Sequence, residues 1–179
     1  MKIIHTPLNE LLVIKPKVFK DDRGYFLESF QENRYQALGM PNFVQDNLSH
    51  SKKNVLRGLH YQSPHPQGKL IWVVHGIIWD IALDIRSHSP TFGQWYSIEL
   101  HSENHIQLYV PPGFAHGFCV LSKFADVYYK CTDIYIPIHE HGIAWNDPCL
   151  NIPWPIKNPI LSQKDKALPT LREMKEPQT

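Results

Sequence analysis

Alternation of apolar and polar positions, not a three-to-four helical spacing, dominates the 179-residue chain. Residues 25–30 and 43–49 alternate with period two, the pattern of strands with one face buried. In the second stretch Gln45, Asn47 and Ser49 share one face, with Val44 and Leu48 on the other. Residues 11–18 read as an edge or bent strand, because Pro16 lacks the N–H that a central ladder needs. Residues 69–86 divide into two strands hinged at His75-Gly76. In the second of these, Ile81, Leu83 and Ile85 share a face opposite Asp80, Ala82, Asp84 and Arg86, so the strand separates a core from water or from a polar cavity. Further strands fall at 94–100, 105–110 and 117–121, the last fed by a rigid turn through Pro111, Pro112 and Gly113. Residues 125–136 read as one β run, with Tyr129, Cys131, Asp133 and Tyr135 of one parity and Tyr128 directed into the core. Turns are expected at 21–24 and 51–54. One helix is expected at 31–38, capped near Asn33 and stopped by Gly39 and Pro41, and a short one at 162–168. Many short strands punctuated by Gly and Pro point to an all-β sandwich or barrel, in one domain spanning 1–179.

Composition narrows this. Fifteen prolines and a 12% aromatic content disfavour a helix bundle, since proline breaks helix interiors and aromatics suit pleated surfaces. With 18 Lys and Arg against 17 Asp and Glu, the chain carries neither the basic footprint of a nucleic-acid binder nor a polybasic membrane patch. No stretch approaches the roughly 18 consecutive apolar residues of a membrane span. The apolar run at the N-terminus is too short for a signal peptide. Cys119, Cys131 and Cys149 are odd in number and lack metal-ligand spacing, which fits reduced thiols in a cytoplasmic protein.

Candidate chemistry concentrates in Arg57-Gly58-Leu59-His60-Tyr61-Gln62 and in Lys69, one loop later. A lone histidine in a β protein is ordinarily a hydrogen-bonded structural one. Here Arg57 and Lys69 add fixed positive charge suited to a phosphate or a developing oxyanion, and neutral imidazole is the usual general base near pH 7. His116 lies in Pro112-Gly-Phe-Ala-His116, which is similar to the second histidine motif of cupin barrels. Metal-dependent cupins pair it with a His-x-His and a downstream Glu. The corresponding stretch offers only His60, followed by Tyr61 and Gln62, so a first-row metal lacks its usual three ligands and neither metal nor cofactor is expected. Tyr129 and Tyr135 share a parity, which fits ordinary cross-strand packing and equally a phenolic proton donor with an aromatic face for a base. Asp165, Arg23 and Glu28 read locally as solvated charges.

Taken in order, these motifs closely resemble the dTDP-4-dehydrorhamnose 3,5-epimerases over residues 18–169. The resemblance rests on Phe19-Lys-Asp-Asp-Arg-Gly-Tyr-Phe26, Val44-Gln-Asp-Asn47, Val55-Leu-Arg-Gly-Leu-His-Tyr-Gln62, Gln67-Gly-Lys-Leu70, Asp84-Ile-Arg86 and Ser89-Pro-Thr-Phe-Gly93. It continues through Pro112-Gly-Phe-Ala-His-Gly-Phe118, Tyr129-Lys-Cys-Thr132, Trp145-Asn-Asp-Pro148 and Leu161-Ser-Gln-Lys-Asp165.

The resemblance implies a metal-free cupin jelly roll, a double-stranded β-helix, that epimerises C3 and C5 of dTDP-4-dehydro-6-deoxy-D-glucose in dTDP-rhamnose biosynthesis. It implies His60 as base oriented by Asp165, Tyr129 as proton donor, Lys69 at the keto oxygen and Tyr135 stacked on thymine. Gln45, Asn47, Arg57, His116, Glu140 and Lys164 match nucleotide- and sugar-contacting positions. Phe19, Arg23 and Glu28 match residues that reach a neighbouring subunit's site, implying a homodimer with exchanged N-terminal strands. Two departures are a short loop at 63–67 and Ile134, where an aromatic is common. The alternatives are a related enzyme inverting one carbon only, a metal-dependent cupin oxygenase or isomerase, and a non-catalytic sugar-binding cupin.

Overall fold

The chain alternates between two facing antiparallel sheets. In the computed structural model, which describes residues 1–174, one sheet has the strand order β1 (Lys2–His5), β2 (Leu12–Lys15), β10 (Gln107–Val110), β7 (Lys69–His75), β12 (Phe124–Cys131) and β5 (Gln45–Lys52). The other has the order β13 (Glu140–Gly142), β6 (Leu56–Gln62), β11 (Phe114–Val120), β8 (Ile77–Asp84) and β9 (Trp95–His101). Consecutive strands from β5 to β8 change sheet each time, as in a jelly roll. The remaining pair, β3 (Val18–Asp21) and β4 (Gly24–Leu27), forms a separate hairpin.

Period-two alternation is what lets each sheet bury two faces differently. Inward positions of the six-stranded sheet, among them Val13, Ile71, Val73, Leu108 and Val127, meet Ile78, Ala82, Phe114, Phe118 and Val120 of the five-stranded sheet. Burying each such aliphatic side chain contributes about 1.5–3 kcal/mol. Behind the five-stranded sheet, Leu59, Tyr61, Ile81, Leu83 and Ile85 pack under Ile143, Leu150 and Trp154 of the C-terminal segment. Behind the other sheet, Leu12, Ile14, Leu70 and Tyr109 pack under Tyr35 of α1 (Glu32–Gln36) and Met40. The buried Tyr35 hydroxyl is satisfied by donating to Gln107 Oε1 at 2.7 Å.

Toward one end of the sandwich the inward positions turn polar. Val73 and Ile71 give way to Lys69 along β7, Val127 to Tyr129 and Cys131 along β12, and the inward positions of β5 are all polar: Gln45, Asn47, Ser49 and Ser51. A polar chamber opens there. One irregularity shapes it: His116 pairs with His60 but Phe118 pairs with Arg57, so three steps of β6 oppose two of β11. This is a β-bulge, and it brings Arg57 and His60 to the same chamber although strict alternation would part them. Gly58 sits in the bulge with φ +108°, where a Cβ would lie 2.6 Å from His116 O and 2.7 Å from Gly117 Cα.

Several expectations need correction. Residues 11–18 are not one edge strand: β2 ends at Lys15, before Pro16, and lies inside the sheet between β1 and β10. With Pro16 outside the ladder, nothing forces β2 to the edge. Helix α1 is capped by Gln31, whose side chain accepts from Arg34 N at 2.8 Å, and not by Asn33. The strand expected at 25–30 stops at Leu27 and is not half-buried, since it pairs only with β3 and leaves Tyr25 and Phe26 59% and 69% exposed. The β run at 125–136 stops at Cys131. Tyr128 points out of the sandwich against Trp72, with ring centroids 4.6 Å apart, because the inward parity belongs to Val127 and Tyr129. The hinge at Gly76 stands where expected, between β7 and β8, and the 162–168 helix is present as α2 (Gln163–Lys166).

The bulge yields a stability prediction. Gly58→Ala combines a left-handed φ with a backbone clash, so it should lower unfolding free energy by about 3 kcal/mol. Urea denaturation should show the midpoint falling with an unchanged slope.

Candidate active site

His60, on β6, is held from one side and open on the other. Its Nε2 lies 2.5 Å from Asp165 Oδ1. Asp165 accepts, so Nε2 carries the hydrogen of the neutral imidazole and Nδ1 keeps the lone pair. Asp165 is 4% exposed, and the Ser162 hydroxyl donates to its Oδ2 at 2.7 Å while capping α2. Burial pushes the Asp165 pKa up, but the bonds from His60 and Ser162 outweigh it and leave the carboxyl below its ordinary 3.8. A carboxylate that stays ionised fixes the tautomer and stabilises the imidazolium that forms on proton uptake. His60 Nδ1 faces Glu140 Oε1 at 3.9 Å.

Across the cavity, of about 330 Å³, stand side chains of the six-stranded sheet. Burial pushes the Tyr129 phenol above 10, Cys131 adds to this, Arg57 pulls it back and Glu140 adds again. The phenol is therefore protonated at neutral pH and able to donate. Lys69 lies beside Cys131 in the ladder, and burial holds its pKa below 10.5 against the attraction of Cys131, Glu140 and Asp80. No carboxylate among the described residues comes within 4.0 Å of its ammonium. A half-buried cation without such a partner, facing a cavity, is suited to an oxyanion.

The binding candidates divide into two groups. Gln45, Asn47, Arg57, His116, Tyr135 and Glu140 line the same cavity as His60, Lys69 and Tyr129. Lys164, at the rim, donates to Glu140 Oε2, which also accepts from the Tyr135 hydroxyl at 2.7 Å. Burial raises the Glu140 pKa, but the bonds from Lys164 and Tyr135 and the nearby His60 leave it lowered. Arg57 Nε donates to Ser51 Oγ at 3.0 Å. His116 Nε2 lies 3.0 and 2.9 Å from the two oxygens of Asp80. Phe19, Arg23 and Glu28 do not join this cavity. Phe19 and Arg23 flank a surface hollow on the hairpin, and Glu28 pairs with Arg34 at 3.0 Å.

Tyr135 reaches the cavity without being on the strand of Tyr129. The loop after Cys131 is fixed by glutamine side chains. Gln67 donates to Asp133 O at 2.8 Å, and Gln62 donates to Ile134 O at 3.1 Å while accepting from Ile136 N at 2.8 Å. Gln45 accepts from Tyr135 N at 2.7 Å.

Sequence reasoning placed Asp80 only on a polar strand face and gave Ser162, Gln62 and Gln67 no role. Of these, Ser162 left a local signal, because Ser-x-x-Asp at a helix start is a capping pattern. Among the described residues no three His, Cys, Asp or Glu side chains converge on a metal-sized centre. The nitrogens of His60 and His116 that meet carboxylates are instead 105 and 36 residues from them in sequence.

Comparison with known proteins places this geometry. Residues 5–173 match the family model for dTDP-4-dehydrorhamnose 3,5-epimerase. The chain is 51% identical to the enzyme of that name from Shigella flexneri, over 92% of this chain and 93% of that one. Its fold matches a dTDP-6-deoxy-D-glucose-3,5-epimerase from Legionella pneumophila, solved in complex with dTDP-4-keto-L-rhamnose, with a TM-score of 0.94 and 52% identity over 97% of this chain and 94% of that one. A 3'-monoepimerase from Streptomyces bikiniensis, in complex with dTDP-quinovose, matches with a TM-score of 0.87 and 33% identity over 93% and 86% of the two chains.

The unpaired Lys69 has a measurable cost. Its folded pKa is lowered, so the unfolded chain binds more protons between that value and 10.5, and stability rises with pH across that window. Below the window the burial cost is felt in full. Lys69→Met should therefore stabilise the ligand-free protein at pH 7 by about 1 kcal/mol, or about 2–4 °C in Tm. Calorimetry should show the gain shrinking as pH climbs through the window, while activity is lost at every pH.

Proposed function

The chain belongs to the dTDP-4-dehydrorhamnose 3,5-epimerase family, and we propose a residue-by-residue account of how its cavity does that work. The protein is an isomerase. It inverts C3 and C5 of dTDP-4-dehydro-6-deoxy-D-glucose to give dTDP-4-dehydro-L-rhamnose. The 4-keto group acidifies the hydrogens on both carbons, because either carbanion delocalises onto the keto oxygen. Inversion then needs a base on one face of the ring, an acid on the other and a cation at the enolate oxygen.

In our reading His60 Nδ1 removes the proton, with Asp165 stabilising the imidazolium through Nε2. Lys69 stabilises the enolate oxygen, and Tyr129 returns a proton from the opposite face. Tyr135 stacks on the thymine, while Gln45, Asn47, Arg57, His116, Glu140 and Lys164 hold the nucleotide and sugar. The observation that carries this reading is the origin of the groups on two facing sheets. His60 with its buried carboxylate comes from one, and the protonated Tyr129 and unpaired Lys69 come from the other. A flat sugar ring between them meets base and acid on opposite faces.

We also propose a cytoplasmic homodimer that exchanges its β3–β4 hairpin and feeds dTDP-rhamnose synthesis for surface polysaccharide such as O-antigen. Support for the exchange is the apolar hairpin surface, with Phe19 52%, Tyr25 59% and Phe26 69% exposed, and the presence there of Arg23 away from its own cavity. The three free thiols suit a reducing compartment.

Two experiments test this. In deuterated water, substrate incubated with the enzyme should take up deuterium at C3 and C5. His60→Asn should cut exchange about 10²–10⁴-fold, and Tyr129→Phe should cut product formation by a similar factor. Undiminished exchange in the histidine variant would sink the base assignment. Analytical ultracentrifugation should show a dimer, and Phe26→Asp should convert it to an inactive monomer. A monomeric parent protein would refute the exchange.

A further inference from the structure

Two inversions on one bound sugar pose a proton problem that His60, Tyr129 and Lys69 do not solve alone. In the first inversion a C–H bond breaks, its proton forms N–H on His60 Nδ1 and its electron pair enters the enolate. The Tyr129 O–H bond then breaks, its proton forms a C–H bond on the opposite face, and the ketone is restored. The sugar is neutral again, but the enzyme holds an extra proton on His60 and a phenolate at Tyr129. The second carbon cannot be inverted until His60 is a free base and Tyr129 a phenol once more.

His60 cannot discharge through Asp165, which is buried, already accepts two hydrogen bonds and lies on the far nitrogen. Glu140 occupies the other side. Its two oxygens are divided: Oε2 accepts from both Lys164 and Tyr135, while Oε1 points toward His60 Nδ1 at 3.9 Å with no other partner among the described residues. That gap is closed by a small rotation or by one bridging water. The Glu140 side chain is also the more solvated carboxylate, 18% exposed against 5% for Asp165, and its Lys164 partner is 48% exposed.

We propose that Glu140 is the proton outlet that resets His60 between the two inversions. The imidazolium passes its Nδ1 proton to Glu140 Oε1, which releases it to solvent. The Tyr129 phenolate takes a proton from water entering the cavity, and the hydroxide left behind is neutralised by the proton that Glu140 gave up. No group is consumed. Glu140 thereby acts in catalysis beyond contacting the substrate, and the two bonds on Oε2 keep Oε1 aimed at the imidazole. The inference rests on the reading of His60 as base.

The partition between singly and doubly inverted product tests this. With wild-type protein quenched early in deuterated water, borohydride-trapped sugars examined by NMR should be mostly inverted and labelled at both carbons. Glu140→Gln, which keeps the size but not the proton affinity, should slow the second inversion about 10²-fold and make the singly inverted sugar predominate, as expected for loss of a proton-transferring group. Glu140→Ala should behave alike, and added formate should restore double inversion by substituting for the missing carboxylate. A Glu140→Gln enzyme with a raised KM but the wild-type product ratio, or a Glu140→Ala enzyme whose ratio ignores formate, would reduce Glu140 to a binding residue and overturn the proposal. His60→Asn is run alongside: wild-type exchange there would remove the base and the outlet together, whereas lost exchange with an unaltered Glu140→Gln ratio removes the outlet alone.

Discussion

The close approach of β6 and β11 is the constraint on which the cavity depends. Two chain segments can pass backbone to backbone only where neither carries a side chain, and Gly58 and Gly117 meet there: a Cβ on either would come within 2.6 Å of a carbonyl of the other strand. The extra residue that this contact accommodates turns Arg57 into the cavity without turning His60 out of it. It also sets His60 directly opposite His116 in the ladder, each with its own buried carboxylate. A regular strand would leave either Arg57 or His60 facing the second core layer, where Leu59 and Tyr61 pack.

Around that bulge the sandwich is divided along its length. One half is filled by aliphatic and aromatic side chains, and it supplies the stability that the other half gives up. In the polar half Lys69 is half-buried with no carboxylate partner among the described residues, Asp80 is fully buried with His116 hydrogen-bonded to it, and Tyr129 is desolvated. Burial raises the Asp80 pKa and His116 draws it back, while the same burial lowers that of Lys69. Such groups weaken the ligand-free fold and are well placed to gain from an anionic, keto-bearing ligand. The cavity is preorganised because strands, not loops, carry His60, Lys69 and Tyr129. Where a loop does contribute, as with Tyr135, three glutamine side chains take over the hydrogen bonds that a neighbouring strand would make.

The C-terminal segment joins these two halves. It covers the outer face of the five-stranded sheet with Leu150, Ile152 and Trp154, then runs beside the start of β6, where Ile160 bridges to Val55. From there α2 delivers Asp165 to His60. The packing of that segment and the orientation of the His60 ring are thus one feature. Core contacts on the outside of the sheet hold a carboxylate 2.5 Å from an imidazole on β6.

Much of this was legible in the sequence. Period-two alternation, proline and glycine punctuation and the polar parity of Gln45, Asn47 and Ser49 sufficed for an all-β sandwich and for strands near their true places, because pleat and burial are local consequences of side-chain order. The hinge at Gly76 and the cluster of Arg57, His60 and Lys69 were legible for the same reason. The motif order added the family, and with it the expectation that Asp165 meets His60. What local patterning misjudged were Pro16, Tyr128, Tyr135 and the hairpin of Phe19 and Phe26, each of which turns on where a strand stops or what lies beyond it. Only the tertiary structure decided that Arg57 and His60 share a face, that Tyr135 comes in from a loop, and that Oε1 of Glu140 is left aimed at Nδ1. Those facts depend on a bulge, on side chains bonding distant backbone and on contacts spanning up to 105 residues, and none of these has a period that a sequence can display.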